Sequence, residues 1–172
     1  IIQLAANGLS VGMGYALAAV GLALVFGILE QVNFAHGELY MLSAFVMFTS
    51  AHGLGLSYPA AFALTLLLSA AMGYALAGIA LLPTLNRPFE SVILATFALS
   101  VVAQNAVRLI YGATPREVEA PLEAVILEWG GVLIFGQRLL IVGLGVMSFI
   151  GLGLFLRHTE TGRAMRAVAQ NK

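Results

Sequence analysis

IIQLAANGLSVGMGYALAAVGLALVFGIL, residues Ile1 to Leu29, carries no charged side chain, and its strongly polar groups Gln3, Asn7 and Ser10 crowd the beginning. A helix from Leu4 to Leu29 would run roughly 39 Å at 1.5 Å per residue, enough to cross a hydrocarbon core of about 30 Å with tilt or with its ends among the headgroups. The rest of the chain has the same character. Of its 172 residues 60% are hydrophobic and 9% charged, with a mean hydropathy of +0.97, against roughly 45–50% apolar and about 25% charged in an ordinary globular domain. The composition therefore predicts an all-α integral membrane protein and not a water-soluble fold. Eight acids, all Glu, balance eight bases, seven of them Arg. No net field draws the molecule to nucleic acid, which removes that class of partner. The absence of Cys removes disulfides, thiolate metal sites and cysteine nucleophiles. Ile1 stands where a Met would begin a reading frame, so the sequence does not speak to a signal peptide.

Working outward, the next apolar run reaches from Leu39 to Leu82 with His52 as its one ionisable group. The break AHGLGLSYP, Ala51 to Pro59, divides it by its glycines and proline into a second span of residues 37–51 and a third of 58–82. A fourth fits 91–110 and a fifth 139–156, so the chain reads as a single polytopic domain of about five crossings. If the basic segment 157–172 is cytoplasmic, parity places the N-terminus outside and residues 111–138 outside. The resulting division of Lys and Arg is five inside (Arg87, Arg157, Arg163, Arg166, Lys172) and three outside (Arg108, Arg116, Arg138), the sign that the positive-inside rule requires. Within the outer segment, Val125 to Trp129, then Gly130-Gly131, then Val132 to Phe135 predicts a small external β-hairpin. An interfacial flap anchored by Trp129 is the other reading of the same residues.

Three features stand out against the apolar background. Glycines concentrate in the first span, with Gly8 and Gly12 at GxxxG spacing, and Gly73 with Ala77 repeats the small-xxx-small pattern in the third. This spacing speaks of helices packed in lipid and says little of activity. The cluster Glu30, Gln31, Asn33, His36 and Glu38 interrupts two apolar segments. Ionisable groups at membrane depth cost about 2.5–3.5 kcal/mol each and normally face a cavity or a partner. The cluster is thus either a water-bathed cytoplasmic turn or a half-buried, re-entrant segment that Gly37 lets bend. A zinc site on His36 and Glu38 lacks the ligand count. Finally, a short amphipathic helix is expected after Thr159 or Thr161, with Arg163, Arg166 and Gln170 on one face and Met165, Val168 and Ala169 on another. It suits either lipid phosphates or a groove on a soluble partner.

Asn33-Phe34-Ala35-His36-Gly37-Glu38 after a Gly-rich span, followed later by Thr161-Gly162-Arg163-Ala164-Met165-Arg166-Ala167-Val168-Ala169-Gln170, resembles the permease subunits of branched-chain amino acid ABC importers. The hexapeptide is shared with their urea and short-amide relatives, and the second run resembles the start of the cytoplasmic coupling loop. The resemblance implies a permease of about eight spans in the bacterial inner membrane, of which this sequence would carry the first five. It implies a second permease subunit, the same or related, two cytoplasmic ATPase subunits that bind ATP and Mg, and an extracytoplasmic binding protein. The chain itself would be no enzyme and would hold no cofactor, in keeping with the lack of a GxxxxGK[ST] sequence. By the same resemblance Asn33, Phe34, His36, Gly37 and Glu38 are candidates for the translocation path. Thr161, Gly162, Arg163, Met165 and Arg166 are candidates for ATPase contact, and Glu117, Glu119, Glu123 and Glu128 for binding-protein docking. An ion-coupled transporter or channel would use similar spans but would need more ionisable groups at mid-membrane than these spans contain. A membrane-embedded hydrolase would need a nucleophile that His36 and Glu38 alone do not assemble.

Overall fold

The computed structural model describes residues 2–84, 86–118, 122, 125–129 and 132–170. Six α-helices account for most of them: α1 (Ile2–Leu29), α2 (His36–Phe48), α3 (Tyr58–Leu76), α4 (Phe89–Tyr111), α5 (Gly136–His158) and α6 (Glu160–Gln170). Two short strands, β1 (Ile126–Trp129) and β2 (Val132–Phe135), pair antiparallel with Ile126 opposite Phe135. Gly130-Gly131, the expected turn between them, lies outside the described residues. Among the described residues, four stretches have the length and composition to cross a membrane: Gln3–Ile28, Tyr58–Thr84, Phe89–Tyr111 and Gly136–His158. Many of their large apolar side chains point outward. Leu109, for example, is 87% exposed and Ile110 73%, an arrangement that water would penalise and lipid does not. The chain is an all-α, multi-pass integral membrane protein.

The expected second span, residues 37–51, is short for a complete crossing, and the structure places helix over the same stretch: α2 has 13 residues and passes at Thr49 into a widened π-helical turn that ends at Gly53. A helix of that length rises only about 20 Å, so α2 falls short of a crossing by itself. A second π turn, Ala77–Leu81, and a 3-10 turn, Leu82–Thr84, prolong α3. Pro83 explains the change of pitch, because it offers no N–H and its ring clashes with the carbonyl four residues back. The Thr84 hydroxyl then donates to the Ala80 and Leu81 carbonyls at 2.6 and 2.9 Å.

The contacts divide the chain into two compact units, one of Ile1–Ile28 with Glu119–Lys172 and one of Leu29–Val118. In the first, the polar residues at the start of α1 are all engaged. Gln3 pairs with the Leu133 backbone as a neighbouring strand would, accepting its N–H at 3.0 Å and donating to its carbonyl at 2.7 Å. Arg138 donates to Asn7 Oδ1 and lies 5.0 Å over the Phe135 ring. Gly145 leaves the space that the Met13 side chain occupies, so the absence of a Cβ permits α1 and α5 to approach. In the second unit α2 runs antiparallel to α3, joined by a Ser43–Ser69 hydroxyl pair at 2.7 Å and a Thr65 hydroxyl on Met47 Sδ at 3.6 Å. Its buried centre is Ala35, Leu76, Leu81 and Val92, with Leu39, Ala77 and Leu99 against it.

Candidate functional site

The Asn33–Glu38 segment is built from the backbone outward. The chain leaves α1 through Glu30 at φ 54, a left-handed turn that takes it out of the helix. Asn33 then forms an Asx turn: its Oδ1 accepts the Ala35 N–H at 3.0 Å, and its carbonyl accepts the His36 N–H at 3.2 Å. The Phe34 N–H is satisfied by Thr96 Oγ1 of α4 at 3.2 Å, while that hydroxyl returns its own proton to the Val92 carbonyl at 2.8 Å. With its orphan donors answered in this way, α2 begins at His36 without a side-chain cap. Asn33 is 4% exposed and Ala35 1%. The protein thus buries Asn33 and Ala35, while Glu30, Phe34 and Gly37 of the same segment are exposed.

Depth follows from α4. Thr96 lies two turns into that helix, roughly 10 Å from its start, and Ser100 is its central residue. One turn beyond the loop, Glu38 Oε1 accepts hydrogen bonds from Ser100 Oγ and from Gln104 Nε2, each at 2.7 Å. Gln104 Nε2 also reaches Ser100 Oγ at 3.3 Å. A half-buried carboxylate is therefore held at the midpoint of a membrane-length helix by Ser100 and Gln104, and Thr96, one turn earlier on the same face, holds the Phe34 N–H, so the three polar side chains follow at intervals of four. These three escape a reading of the sequence, although polar residues spaced by four in an otherwise apolar span are the available signal. Glu38 also borders a half-open pocket of about 180 Å³, whose other walls include Leu39, Leu42, Leu76, Leu99 and Ala103. Apart from the carboxylate the lining is apolar.

At the far end of the same pair, α2 and α4 meet through aromatics. Tyr111 OH and Thr49 Oγ1 lie 2.6 Å apart, and the Tyr111 ring is 4.5 Å from Phe45 and 6.4 Å from Phe48. The order of these contacts, Phe34 with Thr96, Glu38 with Ser100 and Thr49 with Tyr111, makes α2 and α4 parallel, with α2 starting part of the way along its neighbour.

The remaining candidates fall elsewhere. Phe34 and Gly37 are exposed and His36 is half-buried; of the hexapeptide, the backbone N–H of Phe34 and the carboxylate of Glu38 make the hydrogen bonds to α4, while Asn33 is buried and bonds within its own turn. Thr161, Arg163 and Arg166 are exposed on α6, and Met165 is half-buried. Gly162 is buried against the last turn of α5. Thr159 joins the two helices: its hydroxyl accepts the Gly162 N–H at 3.0 Å and donates to the Phe155 carbonyl at 2.7 Å. Of the two expected caps the chain uses Thr159. Arg163 and Glu160 approach to 4.0 Å while both remain exposed, a geometry worth little in stability. Glu117 and Glu128 are exposed, and Glu119 and Glu123 lie outside the described residues.

Comparison with known proteins extends over nearly the whole chain. Residues 4–172 match the sequence model of the family described as branched-chain amino acid transport system / permease component. The high-affinity branched-chain amino acid transport system permease protein BraD of Pseudomonas aeruginosa is 31% identical over 182 residues, covering 99% of this chain and 59% of that protein. LivH, a permease protein of the same description, is 29% identical in Escherichia coli K12 and 28% in Salmonella typhimurium, each over 96% of this chain and 58% of the relative. The chain thus spans about three fifths of the length of the curated relatives it matches. No solved structure matches it. On the extent of the family match, the chain belongs to the permease components of branched-chain amino acid transport systems.

Proposed function

We propose that this chain is the membrane-spanning part of a permease subunit in an ATP-driven, binding-protein-dependent importer of branched-chain or similar small hydrophobic amino acids. The family match over residues 4–172 carries the reading, and the polar node at the centre of α4 supports it, because a carboxylate maintained at that depth is costly unless it faces a path or a partner. In this reading the protein lies in the bacterial inner membrane with its N-terminus outside and α6 in the cytoplasm. It pairs with a second permease subunit, the same or related. Two cytoplasmic ATPase subunits bind ATP and Mg and do the hydrolysis, and an extracytoplasmic binding protein delivers the solute. Thr161, Arg163, Met165 and Arg166 on α6 meet the ATPase, while Gly162 holds α6 in place. Glu117, Glu119, Glu123 and Glu128 belong to the docking side. Asn33, Phe34, His36, Gly37 and Glu38 belong to the path.

The test is uptake of labelled leucine into vesicles holding the complete permease with its ATPases and binding protein. The expected result is accumulation that requires both ATP and the binding protein. Accumulation without ATP overturns the importer reading and returns the chain to the ion-coupled class.

A further inference from the structure

The pocket beside Glu38 is more specific than a polar spot on a path. Its volume, about 180 Å³, lies well below the roughly 300–1,000 Å³ of pockets for drug-sized ligands, and somewhat above the 150 Å³ or so of an apolar cavity that admits benzene. It therefore has room for one short branched aliphatic group. The walls that α2 and α3 provide, Leu39, Leu42, Leu76 and Ile79, have no hydrogen-bonding side chain, and those from α4, Leu99 and Ala103, have none either.

Glu38 is the one polar residue of the lining, and its carboxylate is held in a fixed way. Ser100 and Gln104 both donate to Oε1, and Oε2 takes no hydrogen bond from the described residues. Two neutral donors on one oxygen hold the carboxylate in an orientation and leave half of its accepting capacity unused. No basic side chain among the described residues pairs with it. An acceptor of that kind against an apolar wall is complementary to a cationic donor with an aliphatic body.

Resting on the transport reading above, we propose that Glu38 Oε2 is the recognition point for the primary ammonium group of the transported solute, with the pocket between α2, α3 and α4 holding its branched aliphatic chain. Ser100 and Gln104 are positioning residues for that carboxylate. The binding protein then selects what arrives, and Glu38 checks that it carries an ammonium group.

The experiment measures binding of labelled leucine to the complete permease in nanodiscs without binding protein, so that delivery is not a variable. In the wild type, 3-methylbutylamine, which has the ammonium and the branched chain, is expected to displace leucine at concentrations at least tenfold lower than 4-methylpentanoate, which has the chain and a carboxylate but no ammonium. Glu38→Gln is expected to weaken leucine binding at least tenfold, and Ser100→Ala to weaken it less. Equal displacement by the acid and the amine, undiminished binding by Glu38→Gln, or no leucine binding by the wild type at millimolar concentration each overturns the assignment. The competition uses unaltered protein and does not depend on the variant assembling. A wild-type transporter that imports leucine with ATP while failing the competition refutes this inference alone. One that imports nothing refutes the transport reading.

Discussion

Gly162→Ala is the most informative single methyl that can be added to this chain. The new Cβ would overlap the Phe155 carbonyl oxygen and lie 2.6 Å from Leu156 Cα and 2.8 Å from the Leu156 carbonyl oxygen. All three are backbone atoms, so no rotamer change relieves them. Ordinary carbon contacts begin near 3.5 Å, so α6 must retreat from α5 by close to 1 Å. Overpacking of this kind costs about 1–3 kcal/mol, and the retreat stretches the 3.0 Å bond by which Thr159 caps Gly162, a further loss of about 1 kcal/mol. Against this, replacing a helical Gly by Ala gains at most about 1 kcal/mol. The balance is close to 2 kcal/mol toward an undocked α6, or roughly a 30-fold change in that equilibrium. A helix of 11 residues is marginal by itself, so undocking and unwinding go together. Hydrogen exchange is the assay: the backbone amides of 163–170 are expected to exchange about 30-fold faster, with the central amides of α5 unchanged. Ala164→Gly, at an exposed position of the same helix, controls for propensity alone at about 1 kcal/mol. Protection in Gly162→Ala equal to or greater than that in the wild type would refute the steric argument.

Other expectations concern the α2–α4 pair. Thr96→Val keeps the shape but removes the acceptor of the Phe34 N–H, and is expected to destabilise the second unit by about 1–3 kcal/mol in a denaturant titration; Thr96→Ser is expected to restore most of it. Ser100→Ala with Glu38→Gln forms a double-mutant cycle whose coupling energy is expected near 1.5–3 kcal/mol, as for a hydrogen bond to a charged group; additive losses would show that the contact is not made in the membrane. Tyr111→Phe removes the hydroxyl contact with Thr49 and keeps the ring against Phe45, so a loss of only about 0.5–1.5 kcal/mol is expected by the same titration.

The membrane class was legible from Ile1–Leu29 because a charge-free run of that length has a single physical meaning, and α3, α4 and α5 were bounded to within a few residues by Pro59, Arg87-Pro88 and the Arg157-His158 pair. What escaped was the level along α4 at which α2 starts. Hydropathy records which residues are apolar and not the depth at which a chain turns, and that depth is decided here by one long-range bond from the Phe34 N–H to Thr96. The site divides in the same way. Glu38 was visible as a carboxylate among apolar neighbours, whereas Ser100 and Gln104 are unremarkable until α4 is laid beside α2. Gly162 is a candidate for ATPase contact only through the resemblance of Thr161–Gln170 to a coupling loop. Its burial comes from the elbow at Thr159, which no periodicity reports.

The hydroxyls between α2 and α3 have a mechanical consequence. Ser43, Ser69 and Thr65 each have a carbonyl of their own helix within reach as an alternative acceptor for their single proton, at 2.6, 2.6 and 2.8 Å. If α3 slides along α2, each hydroxyl keeps that internal acceptor, and little is left unsatisfied. Glu38 has no such second partner, and the Thr49–Tyr111 contact closes the other end of its helix pair. The α2–α4 pair is therefore the stiff beam of this unit and α3 its compliant member, with the two π turns as places where slip is absorbed. Movement that opens and closes the space beside Glu38 is expected to be carried by α3.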